Sequence, residues 1–255
     1  MTFTIENFEA FLLILVRITG FVFTAPFFSL KNVPNRVKAG LSIFMAAIVF
    51  YNVPYTSPEN ESVITYSIII IKEALAGAIM GFFANIAYQV LSFAGQMIDT
   101  EIGFSMINEI DPTSQIQTTI TANLYGYMVI LIMLITNMHH FFIRAIIDSF
   151  QAIKLGEVVL DSNIYQLMIK FITDYFIIGF RIVLPVFAAI LIVNTILAIL
   201  VKIAPQMNMF VVGMQLKIIV GLFVMILIID MVPSVADFIF NEMATLLKSS
   251  LEFLH

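Results

Sequence analysis

The sequence predicts an all-α integral membrane protein of about six long, kinked hydrophobic helices, and three observations carry that expectation. Hydrophobic residues make up 61% of the 255-residue chain and charged residues 11%, against roughly 25% charged in soluble domains; mean hydropathy is +1.03. Long runs lack Asp, Glu, Lys and Arg altogether, notably 74 to 98, 112 to 143 and 182 to 201, and about 20 apolar residues cross a bilayer. Several segments exceed one crossing and carry charges near their ends, as Lys72 and Glu73 do in the third.

The segments are expected near 8 to 29, 37 to 53, 63 to 98, 115 to 150, 163 to 203 and 211 to 253. The first is apolar after Phe8, but Glu6 and Glu9 stand where a signal peptide carries cations, so it reads as a retained helix. The third contains a narrow stripe of small residues, Ala74, Gly77, Gly81 and Ala84. Its Gly77-x-x-x-Gly81 spacing permits close helix packing. In the fifth, "IVLPVFAAILIVNTILAILV" holds 14 Ile, Leu, Val or Phe residues. Insertion of these contributes roughly −4 to −8 kcal/mol, which offsets Pro185 and Asn194.

Lys170, Asp174 and Arg181 fall within about 40° of one another on one face of that fifth helix. They suit an ion-pair ladder or a proton relay. In the sixth, Lys217 and Asp230 lie on nearly opposite faces of a continuous helix and need separate partners. With Arg17, Lys72 and Glu73, these residues form the set of charges expected to be buried among apolar helices. The final stretch, "VADFIFNEMATLLKSSLEFLH", places Val235, Phe238, Ile239, Met243, Leu246 and Leu247 on one face, with Asp237, Asn241, Lys248 and Glu252 opposite. This is an amphipathic helix for a membrane surface or, given its single cation, a protein partner.

Several function classes are excluded. Cysteine is absent, so there is no disulfide framework, thiolate metal site or cysteine nucleophile. A net charge of −5 with only 12 scattered cations offers no nucleic-acid groove. His139 and His140 are adjacent and diverge by about 100°, so they do not form an i, i+4 metal pair; they are assigned to helix packing or an interface. Neither a Gly-x-Ser-x-Gly turn, a Walker-type phosphate loop nor a carboxylate cluster of metal spacing occurs. No enzyme activity, cofactor or metal is expected.

Orientation follows the Lys and Arg distribution, because cytoplasmic connections carry the excess. Lys31, Arg36 and Lys38 occupy the first connection, whereas the N-terminus and the second connection carry carboxylates only. The N-terminus is therefore expected outside. Alternation then makes the connection 99 to 114 cytoplasmic, yet it holds Asp99, Glu101, Glu109 and Asp111 and no cation. Irregular backbone at membrane depth survives only when buried in protein or lining a watery cavity, so this stretch is placed in a pore. Gly103 and Pro112 interrupt the helix. Phe104, Met106, Ile107 and Ile110 are apolar, while Ser105, Asn108, Glu109 and Asp111 are wettable. That mixture suits a plug that closes a channel by dewetting, although composition alone favours an inert connecting loop.

"GQMIDTEIGFSMINEIDP" (95 to 112) resembles the signature region of the flagellar biosynthetic protein FliR family, subunits of the type III protein export gate. Arg17 to Pro26, "VPNRVKAGLS" (33 to 42), "KEALAGAIMGF" (72 to 82), "HHFFIRAIIDSF" (139 to 150) and "APQMNMFVVGMQLKI" (204 to 218) follow in the order that family shows. The resemblance implies a non-enzymatic, multi-pass subunit of the bacterial inner membrane and flagellar basal body. Its implied partners are the sister subunits FliP and FliQ, the export switch protein FlhB, membrane lipid and unfolded proteins in transit. It also implies that the loop after the third hydrophobic segment, residues 103 to 114 here, plugs the conduit.

By the same resemblance, the helices form long kinked hairpins in a helical export-gate assembly. The chain is one subunit, with N-terminal helices (1 to 155) carrying the plug loop near 99 to 114. A C-terminal hairpin (160 to 255) ends in the amphipathic tail, its turn at 204 to 210 with Pro205. The bulky, acidic "NEI" (108 to 110) departs from the small residues common there. Virulence-associated secretion relatives share this architecture. The alternative from another class is a secondary transporter for a small solute coupled through Lys170, Asp174 and Arg181; such proteins often show internal repeats, and none is evident.

Overall fold

The charge-free runs 74 to 98 and 182 to 201 lie wholly within helices. A computed structural model describes residues 5–30, 32–52, 62–104, 119–159, 161, 164–206 and 208–254. Among them are eight α-helices: α1 (Ile5–Thr24), α2 (Asn35–Asn52), α3 (Val63–Ile102), α4 (Ile120–Ile135), α5 (Met138–Ala152), α6 (Ile164–Ile203), α7 (Met209–Leu227) and α8 (Val232–Glu252). A 3-10 turn, Ile229–Met231, precedes α8. The spans Glu6–Thr24, Val63–Ile102, Tyr165–Ile203 and Phe210–Leu227 are long and apolar enough to cross a membrane, and α4 with α5 makes a fifth if the broken pair is one span. At 1.5 Å per residue, the 40 residues of α3 and of α6 each reach about 60 Å, twice a hydrocarbon core.

Two expected segments are each divided. Between α4 and α5, Asn137 adopts φ 59°, a left-handed conformation that Asn tolerates better than most residues. Its N–H bonds the Leu134 carbonyl at 3.3 Å, and its own carbonyl accepts from His140 N–H at 3.0 Å. Between α7 and α8 the backbone tightens, with Met231 N–H donating to the Ile228 carbonyl at 2.9 Å. Pro233 then stands in the first turn of α8, where a missing N–H costs nothing. Lys217 and Asp230 therefore do not share one continuous helix.

The chain forms two compact units that do not follow chain order. The first comprises Met1–Tyr88, Leu134–Phe171 and Ile239–His255; the second comprises Gln89–Met133 and Ile172–Phe238. In the first, α1 buries Ala10, Leu13, Ile14, Arg17, Ile18 and Phe21 completely, a three-and-four spacing that makes one helical stripe. That stripe meets α3 almost backbone to backbone. A Cβ at Gly20 would stand 2.6 Å from the Ala74 carbonyl oxygen, one at Gly77 would overlap the Arg17 carbonyl, and one at Gly81 would overlap Thr24 Oγ1. Where the surrounding solvent is as apolar as the side chains, such close packing, not water exclusion, holds helices together.

The C-terminal tail differs from the sequence expectation. Ile239, Met243, Leu246 and Leu247 are 0–3% exposed within the chain's own first unit, while Asp237, Asn241, Lys248 and Glu252 face outward. Val159 and Asp161 N–H groups bond the carbonyls of Leu254 and Phe253 at 3.2 and 3.1 Å. The covered part of this amphipathic face is thus buried within the chain itself, whereas Val235 is half-buried and Phe238 is 42% exposed. In the second unit, α6 buries Val183, Val186, Ile190 and Val193, and Leu197 lies 3.0 Å from where a Cβ of Gly213 in α7 would stand. α6 and α7 thus pack as a hairpin about the turn at Pro205, leaving apolar residues such as Ile192 and Phe223 about 60% exposed on their outer sides.

Candidate functional site

The second unit holds both ends of the segment singled out by its sequence. α3 stops at Ile102 because Gly103 turns to φ +101° and its N–H bonds the Asp99 carbonyl at 3.0 Å, a glycine-terminated helix end. No atom lies within 4 Å of where a Cβ at Gly103 would stand; the demand for glycine there is conformational, not steric. Phe104 is half-buried.

The chain returns at Thr121, in the first turn of α4. The Asp99 carboxylate accepts hydrogen bonds from the Thr121 backbone N–H at 3.2 and 3.3 Å and from the Thr121 hydroxyl. Both residues are buried, Asp99 3% exposed and Thr121 0%. First-turn N–H groups have no partner within their own helix, and the positive end of the helix dipole favours a carboxylate. Asp99 therefore caps α4 from α3.

One turn back, a Cβ at Gly95 would overlap the backbone of Ala122, so the two helices touch there. On the other side, Ile102 Cγ1 lies 2.5 Å from where a Cβ of Gly221 in α7 would stand. The described chain thus stops at Phe104 and resumes at Thr119 beside one clamped contact. Ser105, Met106, Ile107, Asn108, Glu109, Ile110, Asp111 and Pro112, expected to line a plug, lie outside the described residues.

A second polar cluster sits in the first unit. Arg17 Nε donates to Glu73 Oε2 at 2.5 Å and Nη2 to Oε1 at 3.1 Å, while Nη1 donates to the Ser149 and Ile153 carbonyls at 3.0 and 3.1 Å. Gly156 N–H, at φ 85°, donates to Glu73 Oε1 at 2.9 Å, and the guanidinium lies 4.4 Å from the Phe150 ring centroid. Both side chains are 0% exposed. A bidentate, fully hydrogen-bonded pair is the form in which buried charge is tolerated. It ties α1 and α3 to the last turn of α5.

The remaining charges expected to be buried stand differently in this chain. Lys72, Asp174 and Lys217 are half-buried, and Lys170, Arg181 and Asp230 are exposed. Arg17–Glu73 is the only ion pair among the described residues, so Lys170, Asp174 and Arg181 share a face without forming a ladder. Holding long exposed side chains in one geometry costs about as much entropy as the pair returns. The His139 and His140 rings lie 4.1 Å apart, with Phe27 at 6.0 Å from His139. No group of three His, Asp or Glu side chains suited to a metal occurs among the described residues.

The family model described as bacterial export proteins, family 1, matches residues 8–243. The flagellar biosynthetic protein FliR of Bacillus subtilis is 33% identical over 244 residues, covering 94% of each chain. The chain belongs to the FliR family. The Escherichia coli FliR is 28% identical, covering 91% of this chain and 89% of its own, and that of Aquifex aeolicus 25% identical, covering 88% of each. The protein is accordingly a non-enzymatic membrane protein of flagellar export, of the inner membrane and basal body.

In this FliR-family chain Arg17 and Glu73 are buried as their sequence context suggests, but neither their pairing with each other nor the Asp99–Thr121 contact is foreseen from the sequence. Asp99 was grouped with the acidic connection, whereas α3 runs four residues further than expected and spends that carboxylate on α4. The available signal was an acid four residues before a helix-ending glycine, matched by a hydroxyl residue opening the next apolar run. For Arg17 and Glu73, 56 residues apart, the signal was weaker: a lone cation in one apolar helix and, in another, an acid next to Lys72.

Proposed function

We propose that this FliR-family protein forms part of the channel of the flagellar type III export gate, and that the segment from Gly103 to Pro112 plugs it. The observation that supports the reading is the clamp at the segment's base. Asp99 and Thr121 bind the two flanking helices to each other, so α3 and α4 are held together independently of the segment between them. A plug needs that property. Phe104, Met106, Ile107 and Ile110 supply the apolar closure, Ser105, Asn108, Glu109 and Asp111 the wettable side chains for the displaced state, and Gly103 and Pro112 shape the ends.

The partners proposed are FliP and FliQ, seated on the exposed apolar sides of α6 and α7, with FlhB and the unfolded exported chain. Deleting residues 104–111 is expected to raise ion or small-solute leakage through the assembled gate. Unchanged conductance in a correctly assembled complex would refute the plug role.

A further inference from the structure

Unit two also contains an apolar cavity of about 200 Å³, walled by Leu91, Tyr125, Val129, Ile182, Pro185 and Phe238, with Arg181 and Ser234 as its polar wall residues. An apolar cavity of roughly 150 Å³ accepts a benzene-sized hydrocarbon, so this one takes a stretch of acyl chain. Three features give the site polarity.

Tyr125 is 5% exposed, and its hydroxyl is buried without a hydrogen-bond partner; such hydroxyls ordinarily find one. Arg181 is exposed and takes no part in the one ion pair among the described residues. Pro185, also in the wall, lies inside α6 and has no N–H to give the Arg181 carbonyl four residues earlier.

Depth decides the ligand. Arg181 immediately precedes the charge-free run 182 to 201, whose 20 residues match one hydrocarbon thickness. A bilayer crossing by that run sets Arg181 at the headgroup boundary, with Ile182 and Pro185 of the cavity wall next to it in the helix. A cation at the headgroup boundary, a lone buried donor and a hydrocarbon-sized cavity form the outline of one molecule. We infer that this cavity binds an anionic phospholipid: the phosphate pairs with Arg181, an ester carbonyl accepts from the Tyr125 hydroxyl, and one acyl chain fills the apolar wall. The inference is independent of the plug.

The chain contains no tryptophan, so Phe238→Trp, at a wall residue 42% exposed, supplies a single fluorescent reporter. The full chain is reconstituted in phosphatidylcholine vesicles that carry increasing brominated phosphatidylglycerol or, separately, brominated phosphatidylcholine. Phosphatidylglycerol is expected to quench at about fivefold lower mole fraction, the contribution of one basic side chain at an anionic surface. In Arg181→Gln the two lipids should quench alike, and Arg181→Lys should restore the preference. Equal quenching in the parent protein, or a preference that survives Arg181→Gln, overturns the assignment. So does an assembled gate in which neither lipid quenches, because a protein partner then fills the cavity. Arg181 is exposed, so circular dichroism of Arg181→Gln is expected to match the parent.

Discussion

Replacing Asp99 with alanine tests whether the clamp holds the loop. Two buried donors, the Thr121 N–H and hydroxyl, lose a charged acceptor, and a hydrogen bond to a charged group is worth about 1.5–3 kcal/mol. The favourable interaction of the carboxylate with the start of α4 adds about 0.3–1 kcal/mol. These terms share one side chain and do not add fully, so the loss is about 3 kcal/mol, or roughly a hundredfold in the equilibrium between clamped and open loop base. Thr121→Val removes the hydroxyl alone and should shift the same equilibrium about tenfold. The double variant should resemble Asp99→Ala, because both substitutions break one contact. The assay is solute leakage through the assembled gate in vesicles, beside thermal unfolding of the purified chain. Leakage should rank as double variant and Asp99→Ala together, then Thr121→Val, then the parent. Suppose instead that Asp99→Ala leaks no more than the parent while deletion of 104–111 leaks freely: the clamp then plays no part in closure, and the argument from the loop base fails.

Three further outcomes follow from the fold. Arg17→Met strands the fully buried Glu73 and should cost about 3–5 kcal/mol, whereas Arg17→Met with Glu73→Met should recover most of it; denaturant unfolding in detergent measures both, and a double variant as weak as the single would contradict the pairing. Gly77→Leu forces α1 from α3 at the Arg17 carbonyl, overpacking that costs at least about 1–3 kcal/mol and should lower the amount of folded protein recovered, while Gly40→Ala, with open space around it, should change nothing. Asn137→Gly should be tolerated and Asn137→Val should destabilise by about 1–2 kcal/mol, since φ 59° penalises a β-branched residue; thermal unfolding separates the two.

Helix positions were readable because membrane insertion imposes a one-dimensional rule: runs without charge become spans. The end of α6 was likewise local, set by Pro205, whereas α3 runs four residues past its expected end before Gly103 stops it. The break at Asn137 was not readable. A single Asn between apolar residues is compatible with a helix interior, and only the surrounding packing selects its left-handed conformation. The tail shows a different limit, because amphipathicity says that a face is covered and not by what. Met243 and Leu247 looked like an external docking face and are buried in their own chain. The clamp was illegible for a third reason: Asp99 and Thr121 stand on either side of the very segment whose composition drew notice, and pairing across 22 residues is a tertiary fact.

The charges themselves sort by what they hold. Glu73 and Asp99 lie on the same helix, and each accepts a backbone N–H that its own segment leaves unpartnered, from Gly156 beyond α5 and from Thr121 at the start of α4. A carboxylate used this way satisfies a helix end and a charge at once, which is the economical solution where water is scarce. Lys170, Arg181 and Asp230 have no such internal work and stay exposed on α6 and the turn before α8. Internal charges therefore secure the chain's own helices, and outward ones are left for its surroundings. That division suits a subunit that must complete its own polar bonding before it presents long apolar faces to lipid and neighbours, because a charge left unpaired on such a face would cost several kcal/mol once covered.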